Sequence, residues 1–492
     1  MMPAGGSTPL QQLLARFGTD LISLEREALA AVSTDHRRLY AGRPLALALP
    51  RSTAEVSQLL AFCNALRIAV VPQGGNTGYC GAATPDESGS QLVLSLRRMN
   101  AIRELQPLNN SITVEAGCIL AAVQQAAAAA DRFFPLSLGA EGSCHIGGNL
   151  ATNAGGVNVL RYGMMRDLVL GLEVVLPDGR VLTGLGGLRK DNTGYDLRHL
   201  FIGSEGTLGV ITAATLKLFP ASRATATALV AVETAAAAVD LLALLREHCG
   251  ELVSSFELMP RIGLELVTRH LPAARLPLAL ASPWFVLCEI SSAGAEALTE
   301  RLEAALAPAL ERGLVRDAAL AQSARERQDF WYLREHIPEA QRREGASLKH
   351  DISLPIERIA SFVEQASAWV SSAVPEGVLV CYGHVGDGNL HFNINERAAP
   401  SPAANAPAPG PTAANAPAPR ALLQREAEIK RKIHDLVRDF GGSFSAEHGI
   451  GRLKVAELAR YTSAVELELM HAIKRAFDPN HIMNPGKVLS GR

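Results

Sequence analysis

Pro72-Gln73-Gly74-Gly75-Asn76-Thr77-Gly78 follows directly on the apolar run Ala69-Val70-Val71, and the reading of that join decides the fold. The run is short and β-branched, so it reads as a buried strand ending in a loop. Glycines at 74, 75 and 78 let successive backbone N–H groups turn toward one point, forming a nest for an anion such as a pyrophosphate. A single loop of this kind is also what a plain strand exit looks like. Two further segments tip the balance: Gly142 to Gly156, and Asp191 to Thr212 with Gly203-Ser204-Glu205-Gly206 inside it. Both are too polar and too glycine-rich for a core. Three such loops in one region point to a long phosphate-bearing ligand threaded along backbone amides. No Walker A sequence occurs, and no G-x-G-x-x-G follows a strand with an acidic residue downstream. A nicotinamide-type Rossmann site is therefore disfavoured.

Outward from the loop, residues 45–220 alternate short strands with glycine turns. Gln91 to Leu96, Ser111 to Val114 and Val169 to Leu176 read as strands, the last running through Pro177-Asp178-Gly179-Arg180 into Val181 as a hairpin. Helices are predicted at Thr53 to Arg67 and Leu120 to Asp131. From Arg223 to Pro375 the rhythm changes to longer helices, Ala235 to Glu247 and Ala295 to Ala307, the second stopped by Pro308. Trp284 to Ile290 reads as a buried strand. This is a second α+β layer domain. Leu10 to Leu29, Leu422 to Phe440 and Ser463 to Phe477 read as further helices. Ala-Ala-Asn-Ala-Pro-Ala-Pro occurs at 403–409 and again at 413–419, so this stretch is expected to be an extended surface loop.

Composition sets the outer limits. A length of 492 residues suggests about three domains at roughly 150 residues each. Forty-seven Lys+Arg against 49 Asp+Glu leave a net charge of −2, so no global field favours nucleic acid or an anionic membrane. Seven cysteines, an odd number without a C-x-x-C pair, read as reduced and buried. No apolar run reaches membrane-span length, no signal peptide is visible, and acidic residues in Leu10 to Leu29 argue against a mitochondrial presequence. A cytoplasmic location is the expectation.

Pro72 to Gly78, His145 to Gly156 and Asp191 to Thr212 resemble the FAD-binding domain of the vanillyl-alcohol oxidase-type (PCMH) flavoproteins, in the branch of FAD-dependent D-2-hydroxy-acid dehydrogenases. The resemblance runs from about Arg43 to Leu489, apart from the proline-alanine insert. It implies an α+β fold: a two-lobed PCMH-type FAD-binding domain plus an α+β substrate, or cap, domain with an antiparallel sheet. The boundaries expected are an N-terminal helical segment at 1–42, the FAD domain at 43–222, the substrate domain at 223–430 with the insert at 398–420, and a C-terminal segment at 431–492 returning to the flavin. In the first loop Pro72, Gly74, Gly75, Asn76, Thr77, Gly78 and Gly81 would hold the pyrophosphate. Ser143, Ile146, Gly147, Gly148, Asn149, Thr152, Asn153, Gly155 and Gly156 would lie along the ribityl chain and isoalloxazine, joined by Ile211 and by Asn484 of the motif Asn484-Pro485-Gly486-Lys487. Covalent members of the family carry a histidine in the first loop. Asn76 and Thr77 stand there instead, which implies non-covalent FAD.

The second chemistry-bearing cluster is Gly383-His384-Val385-Gly386-Asp387-Gly388-Asn389-Leu390-His391-Phe392-Asn393. The Gly-Asp-Gly turn lets two imidazoles converge that a straight strand would point apart. Ser445-Ala446-Glu447-His448-Gly449 adds a carboxylate beside an imidazole. Two His and one Glu with an open position form a catalytic zinc-type ligand set. A core histidine and a turn-forming Asp387 explain the same residues by spacing alone. The resemblance assigns them: His384, His391 and Glu447 bind a divalent metal, zinc being its expected identity, and His448 is the base. His145, His199 and His434 match no such role and are read as structural.

A 2-hydroxy acid needs a cation for its carboxylate, and Arg offers a bidentate fork. By itself Arg334 in Trp331-Tyr332-Leu333-Arg334-Glu335 reads as a solvated helix charge paired with Glu335 or Glu339. By the resemblance, Arg334 and Lys349 seat the substrate carboxylates and Asn393 lies near the substrate. Where some relatives have a substrate-contacting threonine four residues after the arginine, this chain has Pro338. The activity implied is oxidation of a D-2-hydroxy acid, D-2-hydroxyglutarate first, to the 2-oxo acid, with hydride passing to flavin N5. D-lactate, glycolate, or a flavin subunit of a membrane-associated complex are the alternatives. The implied electron acceptor is an electron-transfer flavoprotein or a quinone, and a homodimer is one option for the assembly.

Overall fold

The computed structural model describes residues 7–397 and 421–491. The proline-alanine insert expected at 398–420 lies outside the described residues. The chain forms two compact units, neither continuous in sequence. The first comprises residues 1–156, 162–221 and 447–492, and the second 157–161 and 222–446.

In the first unit the strand Val70–Gln73 pairs in parallel with Leu92–Ser95, which pairs in parallel with Ala46–Ala48. Both ladders are buried, as parallel strands require. The helix Thr53–Leu66 packs beside them; Ser52 caps its first turn and Arg67 ends it in the left-handed conformation. A five-stranded antiparallel sheet follows, in the order Ile102–Gln106, Ser111–Glu115, Val210–Lys217, Val169–Val175, Val181–Gly184. The C-terminal segment completes the unit. Ser463 and Glu466 form a capping box on the helix Ala464–Phe477. The chain then returns alongside Val70, with Val70 N–H donating to Ile482 and Asn484 N–H donating back to Val70. That return sets Asn484 next to the strand that opens the first glycine loop.

The second unit is built on one antiparallel sheet, in the order Asp317–Leu320, Ala224–Val232, Trp284–Ser292, Val253–Pro260, Gly377–His384, Asn389–Glu396, Ser347–Leu348, with Asp351–Ser353 also on the Asn389–Glu396 edge. Alternation along each strand sorts side chains to two faces. Phe256, Cys288, Cys381, Phe392 and Ile394 join a large core that includes residues of the helices Ala235–Cys249, Leu298–Glu311, Ile359–Ala373 and Glu426–Asp439. Leu287, Val380 and Tyr382 face the other way, toward Arg261–His270, Ala324–Glu335 and Ile337–Glu344.

Several expectations are corrected. Leu10 to Leu29 is not one helix: Gly18 breaks the geometry at φ +69°, and Ile22 pairs with Ala48 between the helices Pro9–Leu21 and Arg26–Ser33. Pro308 does not stop its helix, which runs from Leu298 to Glu311. Leu306 and Ala309 stay buried on one face and hold the last turn although Pro308 donates no N–H. Leu422 to Phe440 is interrupted at Arg425, whose guanidinium turns aside to the carbonyl of Ala373 and to Glu376. The second unit extends to Ala446, not 430, because Ile433, Leu436 and Val437 complete its core. Residues up to 42 belong to the first unit, where Leu13 and Ile22 are fully buried. All seven cysteines, each among the described residues, are buried and none is in a disulfide. Among the described residues no helix is long and apolar enough to cross a membrane.

Candidate active site

In the first unit the glycine loop keeps its backbone amides uncommitted. The N–H groups of residues 74–78 donate to no described residue. Gly75 is obligatory: a Cβ there would stand 2.1 Å from the carbonyl oxygen of Ser143. Asn76 sits at φ +54° and commits its side-chain amide to the carbonyl of Thr34 at 2.8 Å, so its contribution to a ligand is the backbone. Gln73 braces the loop from below, donating to Val32 at 3.1 Å and Ala83 at 2.8 Å. Gly74 packs against Gly148 in the short helix Ile146–Ala151, where the N–H groups of Ile146 and Gly147 are taken by Cys118 and Ala116 while that of Gly148 has no described partner. Two buried acceptors, Asn149 Oδ1 and Asn484 Oδ1, also lack a hydrogen bond. Unsatisfied donors and acceptors of this kind fit a large polar cofactor such as FAD.

Other expected cofactor residues serve the frame. Thr152 returns its hydroxyl to Gly148, and Asn153 accepts from Arg166 N–H at 2.9 Å. Gly81, at φ +69°, lies under the ring of Tyr40, and Ile211 is a buried strand residue paired with Val174. Gly155 is buried; Ser143 and Gly78 are exposed, and Pro72 and Thr77 half-buried. Gly156, at φ +108°, donates its N–H to Glu447 Oε1 at 2.7 Å. Next to Glu447, the ring of His448 tilts against Tyr79 with centroids 4.7 Å apart.

In the second unit one face of the sheet carries a polar strip where the helices leave it uncovered by apolar contacts. Register makes the strip: Glu257 is opposite His384, Tyr382 opposite His391, and His391 opposite Asp351. His384 and His391 converge to ring centroids 5.5 Å apart, and His391 Nδ1 is 3.8 Å from Asp351 Oδ1. The hairpin between them is turned by Asp387, whose Oδ1 accepts the N–H of Asn389. Glu257, 1% exposed, binds two groups at once, His384 Nδ1 at 2.6 Å and Arg334 Nε at 2.7 Å. Arg334 is thus no solvated helix charge. It is 6% exposed and lies over the Tyr382 ring at 4.9 Å. Among the described residues neither of its Nη groups has a hydrogen-bond partner. Asn393 donates to Gln341 Oε1 at 3.1 Å, and Gln341 donates to Asn395 at 2.6 Å. Lys349 is half-buried in the link between Ser347–Leu348 and Asp351–Ser353. Pro338 is in the first turn of the helix Ile337–Glu344, a place that tolerates proline.

Comparison with known proteins now adds to the geometry. Residues 44–184 match the family described as FAD binding domain, and residues 221–488 match FAD linked oxidases, C-terminal domain. Mitochondrial D-2-hydroxyglutarate dehydrogenase of Arabidopsis thaliana is 37% identical over 473 residues, 94% of this chain and 78% of the relative. That of Bos taurus is 39% identical over 481 residues, 96% of this chain and 83% of the relative. The chain belongs to the FAD-linked oxidases. Within them it falls with the FAD-dependent D-2-hydroxy-acid dehydrogenases, and it is an FAD-dependent oxidoreductase. A crystal structure of p-cresol methylhydroxylase with substrate bound superposes with a TM-score of 0.72 at 17% identity, over 97% of this chain and 96% of the other. That likeness shows the PCMH-type fold.

In this member of the FAD-linked oxidases, two buried glutamates escaped the sequence reading. Burial raises the Glu257 carboxyl, but the charges and hydrogen bonds of His384 and Arg334 outweigh it and hold the group down to about 2. Glu205, at φ +51°, accepts the N–H groups of Ile450 and Gly451, both at 2.8 Å, and its carbonyl takes Asn484 Nδ2 at 2.7 Å. There burial dominates and pushes the carboxyl up to about 7. Of the histidines read as structural, His434 is buried against His350 and Phe444, His199 lies beside Arg166 and Asp196, and His145 precedes the helix Ile146–Ala151.

Proposed function

We propose that the chain oxidises D-2-hydroxyglutarate to 2-oxoglutarate, using FAD and a divalent metal, with zinc as the first choice. The observation that carries this reading is Arg334, buried, fixed through Nε to Glu257, and with both Nη groups unspent. A guanidinium held in that way presents a planar fork to a carboxylate. Lys349 offers a second cation for the distal carboxylate. Asn393, its amide held by Gln341, keeps its carbonyl oxygen for the substrate. Pro338 brings no hydroxyl to this end, so the distal contact depends on charge.

The amides of residues 74–78 would hold FAD non-covalently, and the flavin would supply the acceptor for the hydride leaving C2. His384 and His391, with Glu447 as the third ligand, would hold the metal, which supplies polarisation of the 2-hydroxyl. Ala446 N–H donates to the carbonyl of Asp351 at 3.3 Å, and Asp351 pairs with His391. His448 takes the hydroxyl proton as a neutral imidazole. Electrons leave to an electron-transfer flavoprotein or a quinone. A homodimer and a cytoplasmic location belong to the same reading, although the plant and bovine relatives are named mitochondrial.

The test is dye-linked turnover of flavin-loaded protein on D-2-hydroxyglutarate, D-lactate and glycolate. The expected result is kcat/KM highest for D-2-hydroxyglutarate, and His448→Ala retaining flavin absorbance while kcat drops on the order of 10²–10⁴-fold. Equal activity on D-lactate would overturn the substrate, and undiminished turnover of the variant would overturn the base.

A further inference from the structure

Glu257 takes no step in the chemistry just described, yet both of its oxygens are committed. Its two oxygens are divided: Oε1 takes His384 Nδ1 at 2.6 Å and Oε2 takes Arg334 Nε at 2.7 Å. At 1% exposure the carboxylate has almost no water to fall back on. Glu257 and His384 are register partners on adjacent strands, so the sheet itself sets their spacing.

Each bond fixes something. A carboxylate on Nδ1 makes that nitrogen the N–H and leaves Nε2 with the lone pair a metal requires. The bond to Arg334 Nε, with Tyr382 against the guanidinium face at 4.9 Å, sets the plane of the group and turns its Nη edge away from Glu257. One carboxylate thereby orients a metal-ligand nitrogen and a carboxylate-binding fork. It also compensates their charge: a second cation arriving at His384 must share with Arg334 the single negative charge of Glu257.

We propose that Glu257 is the positioning residue that couples metal binding at His384 to carboxylate binding at Arg334. This rests on the reading of those two residues given above. The coupling is a free energy between two sites and is therefore reciprocal. Loosening Glu257 weakens both sites. Removing Arg334 strengthens the metal site, because Glu257 then gives its full charge to His384 and the neighbouring cation is gone.

The experiment is zinc titration of the full-length, flavin-loaded, metal-stripped protein against a chromophoric chelator, without substrate. Glu257→Gln keeps the shape but can no longer accept at both positions; its zinc affinity is expected to fall by on the order of 10–100-fold. In steady-state assays with zinc saturating, its KM for D-2-hydroxyglutarate should rise by on the order of tenfold, more than kcat falls. Glu257→Asp, which retains the charge on a shorter stem, should lie between, and it keeps the test open if the Gln variant does not fold. Arg334→Ala should bind zinc more tightly than the wild type. Zinc affinity unchanged in both Glu257 variants, or weakened by Arg334→Ala, would overturn the coupling while leaving the functional reading intact. A wild-type chain that takes up no zinc would overturn the metal reading and the coupling together.

Discussion

Glu205 and Glu257 are buried glutamates, one in each unit, and their carboxyls are displaced in opposite directions, to about 7 and about 2. Burial acts on both in the same sense. The difference lies in the partners. Glu205 accepts two backbone N–H groups and feels the charge of Lys454 only as the smallest influence, and together these do not repay the lost hydration of an anion. Glu257 meets a guanidinium and an imidazole, which carry or can carry full charge. The contrast extends to the units around them. The first presents backbone groups at its site, with the amides of 74–78 as the leading case; the second presents charged side chains on a sheet face.

The strongest way to break the comparison is to delete each carboxyl. Glu257→Leu leaves the Arg334 charge buried without a counter-charge, and a loss of about 3–5 kcal/mol is expected. Glu205→Leu leaves two N–H groups without an acceptor, costing about 1–3 kcal/mol. Urea unfolding of the two variants reads the difference. Equal losses would mean that the Arg334 charge is not what distinguishes the sites.

The pH dependence of stability sharpens the contrast in sign. An ordinary glutamate titrates near 4.5 and Glu205 near 7. Between those values the folded chain keeps a proton that the unfolded chain has lost, so stability falls as pH rises through this window. The linkage amounts to roughly 3 kcal/mol at most, at about 1.4 kcal/mol per pH unit. Glu257 behaves in reverse: its contribution is present above 4.5 and is lost as pH falls toward 2. In Glu205→Gln the decline between pH 4.5 and 7 should flatten relative to the wild type, measured by unfolding at stepped pH. An unchanged slope would show that Glu205 ionises normally.

The same contrast explains what the sequence could disclose. The nest is contiguous, strand and glycines within residues 70–78, so its geometry follows from neighbours in the chain. The hairpin carrying His384 and His391 is local in the same way. Glu257 is hidden within Val-Ser-Ser-Phe-Glu-Leu-Met-Pro, and its partners are 77 and 127 residues away. Strand order brings His384 to it, and the packing of the helix Ala324–Glu335 on the sheet brings Arg334. Glu205 meets residues 245 and 246 positions further on. A buried glutamate in an apolar strand was the one available signal for Glu257, since such a group must be paired. The misread helix ends have a related origin: Pro308 and Arg425 follow tertiary packing over local propensity.

A further variant tests the backbone side of the comparison, in cofactor affinity instead of stability. Gly75→Ala places a methyl where the carbonyl oxygen of Ser143 lies 2.1 Å away, so the loop must shift and its N–H groups lose their aim. The loss of one charge-assisted hydrogen bond to a phosphate is worth about 1.5–3 kcal/mol, or on the order of 10–100-fold in FAD affinity. Gly186→Ala, outside the loop, is the control, because nothing lies within 4 Å of the added methyl and its φ is not in the left-handed region. Flavin absorbance after gel filtration should fall for the first variant and persist for the second. If both glycine variants kept their flavin, aim of the amides would not be what binds it, and the contrast between a backbone-built unit and a charge-built one would fail on the backbone side.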